Sequence, residues 1–363
     1  MNTISLCMIV KNEEDVLGRC LASVSGLVDE IIIVDTGSED RTKEIAAEYT
    51  RNVFDFPWID DFSAARNAAF DRAHCDYCMW LDADDVLKEP DRQAFIELKA
   101  GLGDSVDVVM MRYNTGFDEN GNAAFSYYRE RIVRNHAGMR WRGAVHEVIE
   151  TKGNVIYSEC AITHWKLHPS DPERNLRIFE KLLERGETLE PRQLYYYGRE
   201  LYYHRRYEEA VSVLERFLEE PMGWLENKID ACRHGAYCWY EIGREEKALE
   251  MLFRSFCYDL PRAEVCCDIA RHFFDRADWP RAAYWYRRAL DCERRDDRGG
   301  FVLPDAYGYT PCIQLCVCSS RMGREDEAEA YNERAAAFKP GSAAVAHNRA
   351  YFASLRKKEI PGE

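Results

Sequence analysis

The sequence predicts an α/β domain followed by an all-α repeat domain. Three observations predict this. In the first half, short apolar runs alternate with amphipathic helical stretches. From residue 191 onward strand signals give way to helix patterns that recur in pairs with one internal spacing. Between the two lies a polar stretch, 166–190, bounded by Pro169, Pro172 and Pro191.

In chain order, the run ISLCMIV within 3–10 reads as a buried strand and stops at Lys11, Asn12, Glu13 and Glu14. Residues 13–25 place Val16, Leu17, Cys20, Leu21 and Val24 on one helical face. EIIIV, 30–34, is apolar after its first residue, as expected of a strand covered on both faces. It ends at Asp35-Thr36-Gly37-Ser38. A helix follows in SEDRTKEIAAEY, with Ser38 or Asp40 as its cap. RNVFDF reads as a short strand, DFSAARNAAFDRA as a third helix, and YCMWL as a buried strand ending at Asp82. This rhythm predicts a parallel, helix-covered, Rossmann-like sheet. Further strands are predicted at 106–112 and 129–134, with a polar turn at Asp118 to Asn122, and VIYSECAITHW supplies another.

The second half contains four stretches in which small residues stand twelve apart: Gly198 and Ala210, Ala236 and Ala248, Ala270 and Ala282, Cys316 and Ala328. A small residue on each of two helices lets a hairpin close tightly, and prolines follow at Pro221, Pro261 and Pro340. The pattern resembles tetratricopeptide repeats, four hairpins in all. Such arrays bind peptides or proteins, or dimerise. Their Tyr and Arg residues suit either a binding surface or helix packing.

The chain has 363 residues, which suits two domains, and a net charge of −15, which argues against nonspecific binding to nucleic acid or an anionic membrane. The opening MNTISLCMIVKNEE lacks a basic segment before its apolar run, and no run is long enough to span a bilayer. Fourteen cysteines lie diluted within apolar helical patterns, which predicts reduced, buried thiols in a cytoplasmic protein. Cys75 and Cys78 form a CxxC with no second pair at zinc spacing.

Chemistry is predicted where the strands end. Ligands in such sheets bind beyond the carboxyl ends of the strands. Lys11 to Glu14, Asp35 to Ser38 and Asp82 to Asp85 should therefore line one crevice. Asp82 and Asp84, one residue apart at a strand end, point to the same side of the chain and can share a divalent cation. Clustered carboxylates repel unless a positive charge sits among them, and oxygen ligands suit Mg²⁺ or Mn²⁺.

The segments LCMIVKNEE, EIIIVDTGSEDRT, DDFSAARNAAFDRA, YCMWLDADD and WRGAVHEVI, in this order across 4–149, resemble the family-2 glycosyltransferases. With the repeats, the resemblance narrows to bacterial enzymes that carry a tetratricopeptide tail, such as the sublancin-type peptide S-glycosyltransferases. It implies a GT-A domain over 1–170, a linker or lid with a connecting helix over 171–190, repeats over 191–345 and a tail over 346–363. It also implies a metal-dependent, inverting transfer of a hexose from a UDP-sugar, with UDP-glucose or UDP-N-acetylglucosamine first among donors. The acceptor would be a peptide Cys or Ser/Thr, or else a cell-surface glycan or lipid-linked acceptor. The repeats would hold the acceptor or form a homodimer.

By the same resemblance, Asp35 accepts from the uracil N–H, and Glu13 or Glu14 belongs to the nucleoside pocket. Lys11 faces the diphosphate. Arg66 braces the nucleotide or the aspartates, with an ion pair to Asp60 or Asp61 as the structural alternative. Asp84 is the metal ligand, Asp82 its companion toward the ribose or a bound water, and His164 a third ligand. Glu147 is the base, because an inverting transfer needs a group to take the acceptor's proton. His146 contacts the acceptor or packs on Trp141. WKLHPSDPERN forms a lid in which Trp165 and His168 touch the ligand. Two rivals remain. One is a repeat scaffold with an inactive transferase domain. The other is a nucleotidyltransferase, which would want a glycine-rich loop where this chain has KNEED.

Overall fold

The computed structural model describes residues 2–117, 123–167, 171–295, 298–300 and 302–359. The turn expected at Asp118 to Asn122, and His168 of the expected lid, lie outside the described residues. The chain divides into two compact units, Met1–Thr188 and Leu189–Glu363.

The first unit runs β1 (Ile4–Val10), α1 (Leu17–Val24), β2 (Glu30–Asp35), α2 (Thr42–Tyr49), β3 (Val53–Asp55), α3 (Phe62–Phe70), β4 (Tyr77–Trp80), β5 (Asp85–Val86) and α4 (Glu89–Gly101). It continues with β6 (Val108–Phe117), β7 (Ala123–Arg134), β8 (Trp141–Arg142), β9 (Val148–Ile149), β10 (Val155–His164) and α5 (Arg174–Glu184). Eight strands form one mixed sheet in the order β3-β2-β1-β4-β7-β6-β10-β5. The first four strands of that order are parallel. β7 runs antiparallel to β4 and to β6, which restores the direction of β6 and β10 to that of β4. The carboxyl ends of β1, β2, β4 and β10 therefore share one edge. β8 and β9 pair separately.

The all-apolar strands are explained by two cores. Ile4, Leu6, Met8 and Val10 pack with Leu17, Leu21, Ala46 and Phe95. Cys7, Ile32, Val34 and Trp80 pack with Ala69, Phe70 and Trp141. Adjacent β1 residues thus face opposite cores, and the one polar residue among them, Ser5, is buried with its hydroxyl bonded to Glu30. Helix α3 begins where expected, with Asp61 accepting from the Ala64 backbone N–H at 2.9 Å. Asp40 accepts from the Thr42 N–H at 3.0 Å as α2 starts. Helix α4 fell in no predicted element. Phe95 is its one buried side chain, so it shows little apolar periodicity.

The second unit is helical: α6 (Pro191–Tyr203), α7 (Tyr207–Glu219), α8 (Leu225–Glu241), α9 (Glu245–Arg254), α10 (Ala263–Phe274), α11 (Trp279–Leu290), α12 (Tyr309–Arg321), α13 (Glu325–Phe338) and α14 (Ala343–Glu359). The small residues sit where the hairpins close: Ala210, Ala236, Ala248, Ala270, Ala282 and Ala328 are fully buried. A Cβ on Gly198 would stand 2.6 Å from Leu214 Cδ2, too close without movement. Successive hairpins are also linked by polar bonds. Arg233 Nε donates to Asp268 at 2.7 Å, Tyr195 Oη donates to Asp230, and Tyr240 Oη meets His272 Nδ1 at 2.8 Å. Many of the Tyr and Arg residues noted in the sequence thus join the hairpins internally. This is a tetratricopeptide-like array. The stretch expected as a tail folds instead largely as α14, whose Val345 and Phe352 are buried against the last hairpin. All fourteen cysteines are unpaired.

Candidate active site

The polar groups expected to converge do so at the carboxyl edge of the sheet. Asp35, last in β2, is buried. Its Oδ1 accepts from the backbone N–H groups of Gly37 and Ser38, both at 2.9 Å, while its Oδ2 is buried with no partner. Such an orphan is costly unless a ligand fills it. Glu13, just past β1, lies near the acidic turn. Burial, then the charges of Asp84, Asp82 and Asp40, pushes its carboxyl up to about 7. Glu14 faces the loop beyond β2, where its Oε2 accepts from the Arg41 N–H at 3.1 Å. Lys11 is exposed at the exit of β1.

The acidic turn itself differs from the expectation. Strand β4 ends at Trp80, two residues before Asp82, and the Asp85 N–H closes a turn onto the Asp82 carbonyl at 3.0 Å. The alternation that would align Asp82 with Asp84 has therefore already ended. Three groups draw together instead: Asp84, Asp85 and His164, with candidate ligand atoms within 4.8 Å of one another. His164 Nδ1 lies 3.3 Å from Asp84 Oδ1 and 3.4 Å from Asp85 Oδ1. Those contacts push the imidazole up to about 10 against the opposing effect of burial.

Asp82 turns to Arg66, whose Nη2 donates to its Oδ1 at 2.7 Å. Burial alone would raise Asp82, but Arg66 and then Arg131 hold it down to about 2. Arg66 also donates through Nε to Glu147 Oε1 at 2.7 Å, and its guanidinium lies 5.1 Å from the Trp80 ring centre and 4.8 Å from that of Trp141. The alternative partners of Arg66 are engaged elsewhere: Asp61 caps α3, and Asp60 takes Lys181 at 2.8 Å. His146 precedes Glu147 with a positive φ of 52°, in the turn between β8 and β9. Trp165 is half exposed. Its N–H donates to the Asp84 carbonyl at 2.8 Å, and the Arg19 guanidinium lies over its ring at 4.8 Å.

Sequence reasoning missed the group beneath the turn. Asp85 and Arg131 are both fully buried and paired at 2.9 Å. Tyr113 Oη donates to the other Asp85 oxygen at 2.9 Å, and Arg131 is sandwiched by the rings of Trp80 and Tyr113 at 3.8 and 4.2 Å. The one local signal was a third carboxylate following Asp84, where a surface turn has no need of it. Arg66 and Arg131 are thus positive charges that sit among the acids, and His164 joins them when it is protonated.

Residues 5–157 match the family described as Glycosyl transferase family 2, so the first unit carries a family-2 glycosyltransferase domain. Among curated relatives, a TPR repeat-containing protein of Synechococcus elongatus is 40% identical over 152 residues, 41% of this chain and 36% of the relative. The SPbeta prophage-derived glycosyltransferase SunS of Bacillus subtilis is 28% identical over 233 residues, 59% of this chain and 53% of the relative. The chain thus spans about a third to a half of the length of these relatives. A crystal structure of MamA protein covers 46% of this chain and 81% of its own at 15% identity, with a TM-score of 0.36, too loose a likeness to bear on function.

Proposed function

We propose that this chain is a metal-dependent inverting glycosyltransferase that moves a hexose from a UDP-sugar to an acceptor nucleophile, a peptide side chain in the reading the repeat array favours. The observation that carries it is the meeting, at one sheet edge, of a buried carboxylate with an unfilled oxygen and an Asp84–Asp85–His164 cluster.

Two carboxylates and an imidazole are a donor set that fits Mg²⁺ or Mn²⁺. Asp84 and His164 would hold the ion, with Asp85 fixing the histidine from below. When bound, the ion would supply charge neutralisation at the departing diphosphate. Asp35 Oδ2 accepts an N–H of the base. Asp82 and Glu13 face the ribose, and Lys11 and Trp165 flank the diphosphate end. Glu147 takes the proton of the acceptor hydroxyl or thiol as that atom attacks the anomeric carbon and the bond to UDP breaks. Arg66, packed against two touching indole rings, orients Glu147 for this. His146, next in the turn, faces the acceptor. A thiol acceptor would need less help than a hydroxyl, since part of it is already ionised at neutral pH. Among the described residues no helix is long and apolar enough to cross a membrane. The unpaired thiols favour a cytoplasmic setting for the reaction.

Release of UDP from a panel of UDP-sugars, with Mg²⁺ or Mn²⁺, tests the reading, and Asp84→Ala should abolish it. Glu147→Gln should lower transfer about 10²- to 10⁴-fold, the usual contribution of a general base, with UDP affinity unchanged. Lost UDP affinity in that variant would remove Glu147 from the role of base.

A further inference from the structure

The edge of the sheet beyond β2 holds a charge that the site as described does not use. Asp35 and Asp55 stand side by side in the parallel register of β2 and β3. The Phe56 N–H donates to the Asp35 carbonyl at 2.8 Å and keeps the two strand exits together. Lys43, in the first turn of α2, leans over both: its Nζ pairs with Asp55 and lies 3.9 Å from Asp35 Oδ1. Its side chain is 44% exposed, whereas that of Asp35 is fully buried. Gly37, at φ 105°, leaves open space where a Cβ would project. A buried acceptor whose Oδ2 is unfilled thus has an exposed donor near its other oxygen, Oδ1.

We propose that Lys43 is a base-specificity residue, which reads the carbonyl next to the N–H that Asp35 accepts. The proposal rests on the nucleotide-binding reading given above and deepens it. An acceptor and a donor side by side match a base edge that offers an N–H beside a carbonyl. Uracil offers N3–H beside O4, and guanine offers N1–H beside O6. Cytosine and adenine present the opposite order, a ring nitrogen lone pair beside an amino group. The lone pair would face the Asp35 carboxylate and the amine would face the Lys43 ammonium, so both contacts turn repulsive. Discrimination built on such reversed polar pairs is larger than discrimination by shape alone.

The test is calorimetric titration of the full chain with UDP, GDP, CDP and ADP in the presence of Mn²⁺, comparing wild type with Lys43→Ala, Lys43→Arg and Asp55→Ala. Lys43 and Asp55 are both surface side chains, so these variants should fold. Wild type should prefer UDP to CDP. Lys43→Ala should lose about tenfold of that preference, the scale of one charge-assisted hydrogen bond. Lys43→Arg should keep most of it. Asp55→Ala breaks the same surface ion pair and should leave the preference intact. An unchanged UDP-to-CDP ratio in Lys43→Ala, or an equal loss in Asp55→Ala, overturns the role of Lys43. A wild type that binds GDP above UDP, with the preference still lost in Lys43→Ala, keeps that role and overturns the uridine donor instead. A wild type that binds none of the four overturns both.

Discussion

Arg66 is the residue on which the site's geometry turns. It holds two carboxylates from distant parts of the chain, Asp82 and Glu147, each at 2.7 Å, and two indole rings hold it in turn. A planar fork can serve two acceptors in fixed directions, and an ammonium cannot. Removing it would take from Glu147 and Asp82 the partner they share, leaving Asp82 the charge of Arg131. Arg66→Met should cost about 3 kcal/mol in urea unfolding, the low end for a broken buried pair because Asp82 reaches water. Arg66→Lys should recover only part of this. A variant with wild-type stability would mean that the pairs contribute nothing to the folded state. Asp85 belongs at the same scale. Its buried pairing with Arg131 and Tyr113 makes it a support for His164 and the turn as much as a ligand.

Among the elements, the tightest demand lies in the first hairpin of the second unit. Gly198 on α6 meets Leu214 on α7 with no room for a methyl group. Gly198→Ala should destabilise the array by about 1–3 kcal/mol, the usual cost of overpacking, as read by thermal or urea unfolding. Leu214→Ala in the same chain should recover part of the loss, so the double variant is less destabilised than the sum of the singles. Additive losses would mean that the two helices do not meet there.

The same scale shows what the sequence disclosed. Strands β1, β2 and β4 were legible because both their faces are buried and nearly all their inner residues are apolar. The hairpins were legible because small residues recur at one spacing. Helix α4 was not legible, since one buried Phe95 leaves no stripe to read. The pairing of Asp82 with Asp84 was misjudged because the strand stops at Trp80, and side-chain alternation stops with it. Asp85 and Arg131 lie 46 residues apart and Arg66 and Glu147 lie 81 apart, so no local pattern could join them. The Asp84–His164 meeting was expected only from family resemblance, and its physical cause is the antiparallel pairing of β10 with β5, which sets His164 opposite Asp85.

Seen as a whole molecule, the chain carries a net charge of −15 and gathers Glu13, Asp35, Asp82, Asp84 and Asp85 at the edge proposed to receive a diphosphate. An anionic protein does not attract an anionic ligand without help. Arg66 and Arg131 are committed to carboxylates, and beside Lys11 a divalent cation is the bridge the proposed function requires. Nucleotide and metal binding should therefore be linked, each strengthening the other by the same factor. The most direct test is calorimetric titration of UDP into the intact chain with and without Mn²⁺, repeated for Asp84→Ala. The account predicts that Mn²⁺ tightens UDP binding at least about tenfold in wild type, a coupling within the usual 1–3 kcal/mol, and not at all in Asp84→Ala. UDP binding of equal strength with and without the ion, or an Asp84→Ala variant that keeps the full enhancement, would contradict it.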